Sequence, residues 1–395
     1  MKNILVLAST YPRWKDDSEP AFVESLCREL GREFLVHVLV PHYKNAAIYE
    51  KNNNIVIHRF RYFFPRFECL AYQGGILSNL KKNRLNYLLV PLFITFQFIS
   101  LYILNKKFKY DVVHAHWLIP QGLLAVIIKL ISNNKYKILV TSHGGDLYAL
   151  NGKLFRMLKL WIAKKADYMT VVSNAMKEYC INMGIKEDKI TVCSMGVDLR
   201  NTFVKHNSCD ERDGIIFVGR LVEKKGVVYL INAMETVVKK FPSVSLCIIG
   251  DGPDRKSLEH LVSNRNLNQN VTFIGSVPNH DVPVYLNKAN IAVMPSIVSR
   301  DGDQEGLGLV AVEAMGCGCA VVASDLPAVR DVITDGITGI MAKPASSDSL
   351  AESIIKLLVD DDLAESIARQ GHDYVMVKFD WSNIGNRYRT IIENL

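Results

Sequence analysis

Two glutamates eight residues apart, Glu305 and Glu313, stand beside glycines in DGDQEGLGLVAVEAMGCG (301–318), just ahead of an apolar helical run. With a helix starting near Gly306, the backbone N–H groups of Gly306, Leu307, Gly308 and Leu309 would lie unpaired in its first turn. Such a terminus suits a phosphate or an electron-rich sugar oxygen. Glu305 at its mouth would accept hydrogen bonds from hydroxyls, and Glu313, about two turns on, would face a second hydroxyl pair. A Glu305 that only offsets the helix dipole, beside a solvated Glu313, reads equally well from these residues alone.

A second cluster, GRLVEKKG (219–226), follows the β-branched run IIFVG. Arg220 at a strand end and Lys225 before a helix are suited to clamping a diphosphate, Arg as a fork and Lys as a point charge. Surface charge on a loop is the plainer alternative. The turn IGDGPDR (249–255) places Gly250 and Gly252 where backbone could approach a planar base or ribose, although a structural turn is the favoured reading. In the first half, His114 and His116 alternate in HAHWLIPQG, and His143 follows KILVTS in SHGGD. His114 reads as a hydrogen-bonded structural residue, whereas the strand-end position of His143 beside two glycines favours a site. The sequence holds no G-x-G-x-x-G and no G-K-[ST], so neither a dinucleotide nor a P-loop reading has its glycines. No metal is expected, since no Cys/His cluster has ligand spacing.

The elements that would position these residues alternate short β-branched runs with helix-length amphipathic stretches, the pattern of parallel sheets covered on both faces. Strands are expected at 3–8, 34–40, 111–115, 137–142, 168–173 and 189–193, with helices including 20–31, 120–132 and 153–165. The polar stretch 201–213 breaks the alternation and is expected as a linker. The pattern restarts with strands at 215–219, 245–250, 271–275, 291–295 and 320–324, and helices from Gly226 and Asp254. The expected organisation is α/β: a Rossmann-like domain over 1–200, the linker, a second over 214–379, and a last segment over 380–395. Two doubly wound units imply a cleft, with ligands at the carboxyl ends of the strands.

The 395 residues are 49% apolar and 22% charged, ordinary globular composition for two domains. Net charge is +7, but residues 1–200 carry +13 and the remainder −6. A basic half suggests an anionic neighbour, namely a membrane surface or a lipid phosphate; no basic motif with interleaved aromatics supports nucleic acid. A solvated surface without a partner would look the same. The segment 87–104 has 18 residues without a charge, with Lys81, Lys82 and Arg84 before it and Lys106, Lys107 and Lys109 after it. It reads as a buried or membrane-surface helix, because a span there would split one sheet across a bilayer. Eight cysteines without zinc spacing, and a start whose apolar part is too short for a signal peptide, suggest reduced thiols and a cytoplasmic protein, at the inner face of the cell membrane if the basic half meets lipid.

Taken together, these motifs resemble glycosyltransferase family 4. GRLVEKKG, IGDGPDR, the E-x7-E segment EGLGLVAVE and EAMGCG occur in the family's order, followed by ASDLPAVRDVITDGITG; HAHWLIPQG, SHGGD, SNAM and MGVD extend the likeness through the first half. The resemblance implies a GT-B fold, a nucleotide diphosphate sugar donor, retention of anomeric configuration and no obligatory metal or other cofactor. By matching position it assigns Arg220 and Lys225 to the diphosphate, Glu305 to donor-sugar hydroxyls and Glu313 to ribose hydroxyls. His143 would contact the donor sugar, and residues 306–309 would supply backbone donors. It implies that residues 380–395 fold back over the first domain. One departure is the loop 9–22, STYPRWKDDSEPAF, which lacks the family's glycine pair. Thr10, Tyr11 and Arg13 are the residues there able to substitute, with His116 a further candidate on the acceptor side. This loop and WLIPQG resemble members that build bacterial surface polysaccharide on lipid carriers, so a glycan or polyprenyl-linked acceptor is expected. A nucleotide-sugar epimerase shares the fold but is not expected to carry the paired glutamates with GRLVEKKG. A catalytically silent sugar-nucleotide binder is the alternative of a different class, and intact Arg220, Lys225, Glu305 and Glu313 argue against it.

Overall fold

The computed structural model describes residues 1–395 except 16, 18, 133–134, 149–151, 207–211 and 301, so the expected linker lies partly outside the described residues. The chain forms two compact units: 1–172 with 176–196 and 384–395, and 173–175 with 197–383.

The first unit is built on a sheet of β1 (Asn3–Leu7), β2 (Leu35–Pro41), β3 (Tyr49–Asn52), β4 (Ile55–Phe60), β5 (Val112–His116), β6 (Lys137–Ser142), β7 (Tyr168–Val171) and β8 (Ile190–Val192). Their order is β3-β4-β2-β1-β5-β6-β7-β8, parallel apart from the β3–β4 pair. Its helices are α1 (Phe22–Leu30), α2 (Ile76–Lys82), α3 (Leu89–Lys107), α4 (Leu123–Ser132), α5 (Gly145–Tyr148) and α6 (Lys153–Lys165). Right-handed crossovers place α3, α4 and α6 on one face and α1 on the other, because the chain moves from β1 to β2 in the opposite sense to its steps from β4 to β7. The expected strands of this half all form, shifted at their ends by up to two residues. The β3–β4 pair was not foreseen, since YEKN has no apolar alternation and pairs through its neighbour alone.

The stretch expected as a helix over 87–104 is α3, preceded by a 3₁₀ turn over Arg84–Leu88. Phe93, Gln97, Leu101 and Leu104, spaced at one-turn intervals, are buried against β2, β4 and α4. Arg84–Lys107 is long and apolar enough by length and composition to cross a membrane. Yet α3 joins strands of a single sheet and buries a stripe on it.

Helix α7 (Asn174–Asn182) belongs to the first unit from Met176 onward, and the sheet of the second unit takes β9 (Ile215–Val218), β10 (Leu246–Ile249), β11 (Val271–Gly275), β12 (Ile291–Met294), β13 (Ala320–Ser324) and β14 (Ile340–Ala342). All pairs are parallel in the order β11-β10-β9-β12-β13-β14. Helices α8 (Val227–Lys240), α9 (Arg255–Asn264), α10 (Val282–Leu286), α11 (Leu309–Gly316), α12 (Ser347–Val359) and α13 (Asp361–Lys378) complete it. α8 buries Val227, Leu230, Ile231, Met234 and Val237, a helical stripe against the sheet core. The final helix, α14 (Trp381–Glu393), lies with the first unit from Ile384 onward.

Buried Tyr388 anchors α14: its hydroxyl donates to the Cys193 carbonyl at 3.1 Å. Gly385 packs so closely that an added Cβ would lie 2.7 Å from Glu29 Cβ of α1. Tyr388→Phe is therefore expected to cost about 1–2 kcal/mol in urea unfolding, the penalty of a buried carbonyl left without its donor. An unchanged midpoint would show that the hydroxyl contributes nothing.

Candidate active site

In each unit the sheet order reverses at a switch point, and residues singled out in the sequence lie at or just beyond the carboxyl ends of that unit's own strands. In the second unit the switch lies between β9 and β12. The chain leaves β9 at Gly219, passes Arg220, and reaches Lys225 at the end of a 3₁₀ turn over Glu223–Lys225. Gly226 follows with φ +63°, and an added Cβ there would sit 1.9 Å from the Pro295 carbonyl oxygen just past β12. Only glycine permits that approach. Ile297 N–H also donates to the Lys224 carbonyl at 2.8 Å, so backbone contacts lock the loop after β9 to the segment leading to Glu305.

The outcome is an ion pair: Lys225 Nζ lies 2.5 Å from Glu305 Oε2, with both side chains largely shielded at 16% and 15% exposure. Lys224 pairs alongside with Asp303 at 3.0 Å. Burial pushes the Glu305 carboxyl up, but Lys225, Lys224 and the Gly306 N–H overcome this, and the net direction is down. Glu305 is thus ionised. Glu313, just over one turn into α11, is pushed up to about 8 by burial, with Lys225 drawing it down only in part. It is protonated at neutral pH and can donate as well as accept. The two glutamates therefore present different hydrogen-bonding faces, and neither is the freely solvated carboxylate that sequence left open.

One expectation needs correction here. The helix starts at Leu309, not near Gly306; Gly308 caps it in the left-handed region (φ +92°), and Gly306 and Leu307 lie ahead of the first turn. Three closely spaced glycines in the segment disfavour helical backbone, which sequence periodicity did not weigh. Gly250 and Gly252 carry the packing role of the structural turn that their sequence favoured. Cβ atoms there would lie 1.9 Å from the Gly219 oxygen and 2.2 Å from the Leu221 oxygen. They hold the Arg220 loop against the end of β10.

In the first unit the switch lies between β1 and β5. His116 ends β5 and His143 follows β6, with His116 Nδ1 and His143 Nε2 2.9 Å apart and the rings stacked. Phe22 and Trp117 close around His143, at ring-centroid distances of 4.9 and 5.0 Å. Burial lowers His143 to about 3, and His116 well below the ordinary value, with the neighbouring rings adding to it. Both are neutral hydrogen-bonding groups. His116 is fully buried, so it acts on His143 rather than on a ligand. His114 is buried too and bonds Thr141 Oγ1 at 2.7 Å, the structural role expected of it.

Three residues that sequence reasoning passed over frame this edge. Asp146, the last residue of SHGGD, is buried and accepts from the Leu118 N–H at 2.7 Å and the Ser142 hydroxyl at 2.8 Å. It ties the turn after β6 to the loop after β5. Trp117 takes φ +76°, an unusual conformation for a bulky residue, held by its N–H on the Thr141 carbonyl at 2.7 Å. Phe22 completes the surround. An acid directly after a glycine pair was the one available signal.

The glycine-free loop after β1 is pinned from within. Arg13 is buried, bonds Asp17 through its backbone N–H, Nε and Nη2, and stacks on Trp14, Tyr43 and Tyr72 at 4.5, 4.6 and 5.4 Å. Glu19 receives the Gln73 N–H and the Thr10 hydroxyl, and Tyr11 is buried. Arg13 and Tyr11 build the loop, so the guanidinium is committed to Asp17. Among the described residues no group of three or more His, Cys, Asp or Glu is arranged to hold a metal ion.

Two parallel-sheet α/β units with their functional residues at the switch points define a GT-B glycosyltransferase. The family model for Glycosyltransferase Family 4 matches residues 21–201 and that for Glycosyl transferases group 1 matches 199–374, and the chain belongs to this family. It is 26% identical over 298 residues to a putative colanic acid biosynthesis glycosyltransferase of Salmonella typhimurium, covering 74% of this chain and 72% of that one. Its fold resembles sucrose-phosphate synthase of Thermosynechococcus elongatus, at a TM-score of 0.79 and 22% identity over 100% and 99% of the two chains. It also resembles an Anabaena protein, HepE, solved with UDP-glucose, at a TM-score of 0.74 and 18% identity over the whole of both.

Proposed function

We propose that this glycosyltransferase moves a sugar, with retention, from a UDP- or GDP-sugar to a glycan or lipid-linked acceptor in bacterial surface-polysaccharide synthesis. The observation that carries this reading is the Lys225–Glu305 pair at the carboxyl edge of β9 and β12. As the nucleotide diphosphate leaves it gains charge, and cations aimed at it stabilise the transition state more than the bound substrate. Lys225 and Arg220 take that role, so the reading calls for no metal. Glu305 holds donor-sugar hydroxyls, and protonated Glu313 donates to the ribose. Residues 306–309 supply backbone donors, and Gly250 and Gly252 hold the Arg220 loop in place. His143, neutral and oriented by His116, contacts the donor sugar. The first unit carries the acceptor and the second the nucleotide sugar. The polysaccharide role draws on the Salmonella relative, and the nucleotide on the neighbour solved with UDP-glucose. The basic first half sets the enzyme against the cytoplasmic face of the membrane.

Retention proceeds by front-face attack, the leaving phosphate accepting the acceptor's proton. Glu305 is engaged by Lys225 and the Gly306 N–H, an arrangement suited to hydroxyls rather than to the anomeric carbon. A thermal-shift panel with UDP, GDP, ADP and their sugars tests the donor. A ligand at about 100 times its Kd adds roughly 2.7 kcal/mol of stability, and Arg220→Ala is expected to abolish the shift. If no nucleotide raises the melting temperature, the transferase reading fails in favour of a catalytically silent protein of the same fold.

A further inference from the structure

The helical layer formed by α3, α4 and α6 has a charge pattern that the donor and acceptor chemistry does not use. From Cys69 to Ala166 the chain has fourteen Lys and Arg residues and two acids, Asp111 and Asp146. Asp146 is buried, and Asp111 receives the Asn3 N–H at 2.7 Å beside β1. No carboxylate belongs to α3, α4 or α6.

The same layer exposes large apolar side chains. α3 buries Phe93, Gln97, Leu101 and Leu104 on the sheet and turns Phe96, Ile99 and Ile103 outward; Ile103 is 56% exposed. Leu88, just before it, is 73% exposed, and Ile131 at the end of α4 is 59% exposed. The Asn105 amide donates to Ser132 Oγ at 3.3 Å, so the ends of α3 and α4 adjoin and their apolar residues share one patch. Lys81, Lys82 and Arg84 precede α3, and Lys106, Lys107 and Lys109 follow or close it, all exposed. Between the two clusters α3 runs from Leu89 to Asn105, about 26 Å of helix at 1.5 Å per residue.

An apolar face this size, with cations at both ends and no acid among them, matches a bilayer whose headgroups are anionic: aliphatic side chains enter the acyl boundary while lysines reach the phosphates. Crossing is excluded by the buried stripe, because leaving the sheet would strip Phe93, Gln97, Leu101 and Leu104 of their packing. We propose that the outward face of α3, with the end of α4, is a docking surface that lies flat on an anionic membrane. An acidic protein partner would explain the lysines but not why they flank an apolar strip rather than interleave with it. The inference rests on the proposed membrane-side function, although its test requires no donor or acceptor.

The full-length protein is floated with vesicles of phosphatidylcholine alone and with vesicles containing roughly one-third phosphatidylglycerol. Binding is expected on the anionic vesicles only. Ile99→Asp/Ile103→Asp is expected to weaken it by at least about ten-fold, and Lys106→Gln/Lys107→Gln by more than about ten-fold, since each cation near such a surface contributes about five-fold. Both variants should keep the wild-type melting temperature and nucleotide response, which separates this proposal from the transferase reading. A control on the second unit, Val359→Asp/Val377→Asp, replaces equally exposed residues and should bind as wild type. The proposal is overturned if wild type fails to float, if the α3 variants float unchanged, if the control loses binding equally, or if the variants dissolve a homo-oligomer instead.

Discussion

Lys225→Ala is expected to lower sugar transfer by roughly 10²–10³-fold, the loss typical of removing one preorganised group from a developing negative charge. The effect has two parts. The leaving diphosphate loses a cation, and Glu305, now without its partner at 2.5 Å, remains largely shielded from water as an uncompensated carboxylate. The Glu305 carboxyl then rises, because burial was opposed chiefly by this ammonium. A double-mutant cycle with Glu305→Gln separates the parts. If the groups act as a pair, the double variant loses much less than the product of the single losses. Substantial residual transfer in Glu305→Gln supports front-face attack, whereas a trapped glycosyl–Glu305 adduct overturns it. Lys225→Ala retaining activity within about three-fold would remove Lys225 from the mechanism.

Glu313→Gln is expected to stabilise the folded protein increasingly as pH rises from 5 to 8, by several kcal/mol at the upper end. Burial raises the Glu313 carboxyl to about 8 from an ordinary 4.5. Below the ordinary value both folded and unfolded chains hold the proton, and the group contributes no pH dependence. Above it the unfolded chain ionises while the folded one does not, and each pH unit removes about 1.4 kcal/mol of stability. The loss is complete once the folded carboxyl itself ionises near pH 8. Glutamine keeps the shape and the hydrogen-bonding capacity without the titration. Urea unfolding of both proteins across this range should give diverging curves, with the wild type falling relative to the variant. Parallel curves would show that Glu313 is ionised in the folded state, and its assignment as a hydrogen-bond donor would fall.

Much of this protein was legible in its residues. The β-branched runs at 137–142, 271–275 and 320–324 are strands over those bounds; in the first and last, inside their sheets, this is because a parallel strand covered on both faces is mostly apolar. α6 likewise covers 153–165 as periodicity indicates. The motifs EGLGLVAVE and GRLVEKKG carried the family, and with it the expectation that Glu305 and Lys225 belong to one site. Other features were beyond local reading. YEKN pairs as β3 only because Ile55–Phe60 is beside it, and the start of α11 moved to Leu309 because closely spaced glycines oppose helical backbone.

What the tertiary structure alone decided is electrostatic and steric. Glu305 and Glu313 are the same residue type in one motif, yet one is ionised and the other protonated. The difference comes from the Lys225 ammonium bonded to Glu305 and eighty positions from it in the chain, with Lys224 and the Gly306 N–H beside it. Gly226, Gly250 and Gly252 look alike in sequence, and their need for glycine comes from carbonyl oxygens of Pro295, Gly219 and Leu221. Arg13 read as a stand-in for the family's glycine pair until Asp17 and three aromatic rings enclosed it. Residue type and spacing fix which chemistry a side chain can perform. Burial and through-space neighbours, which no local window contains, set its charge state and whether it remains available.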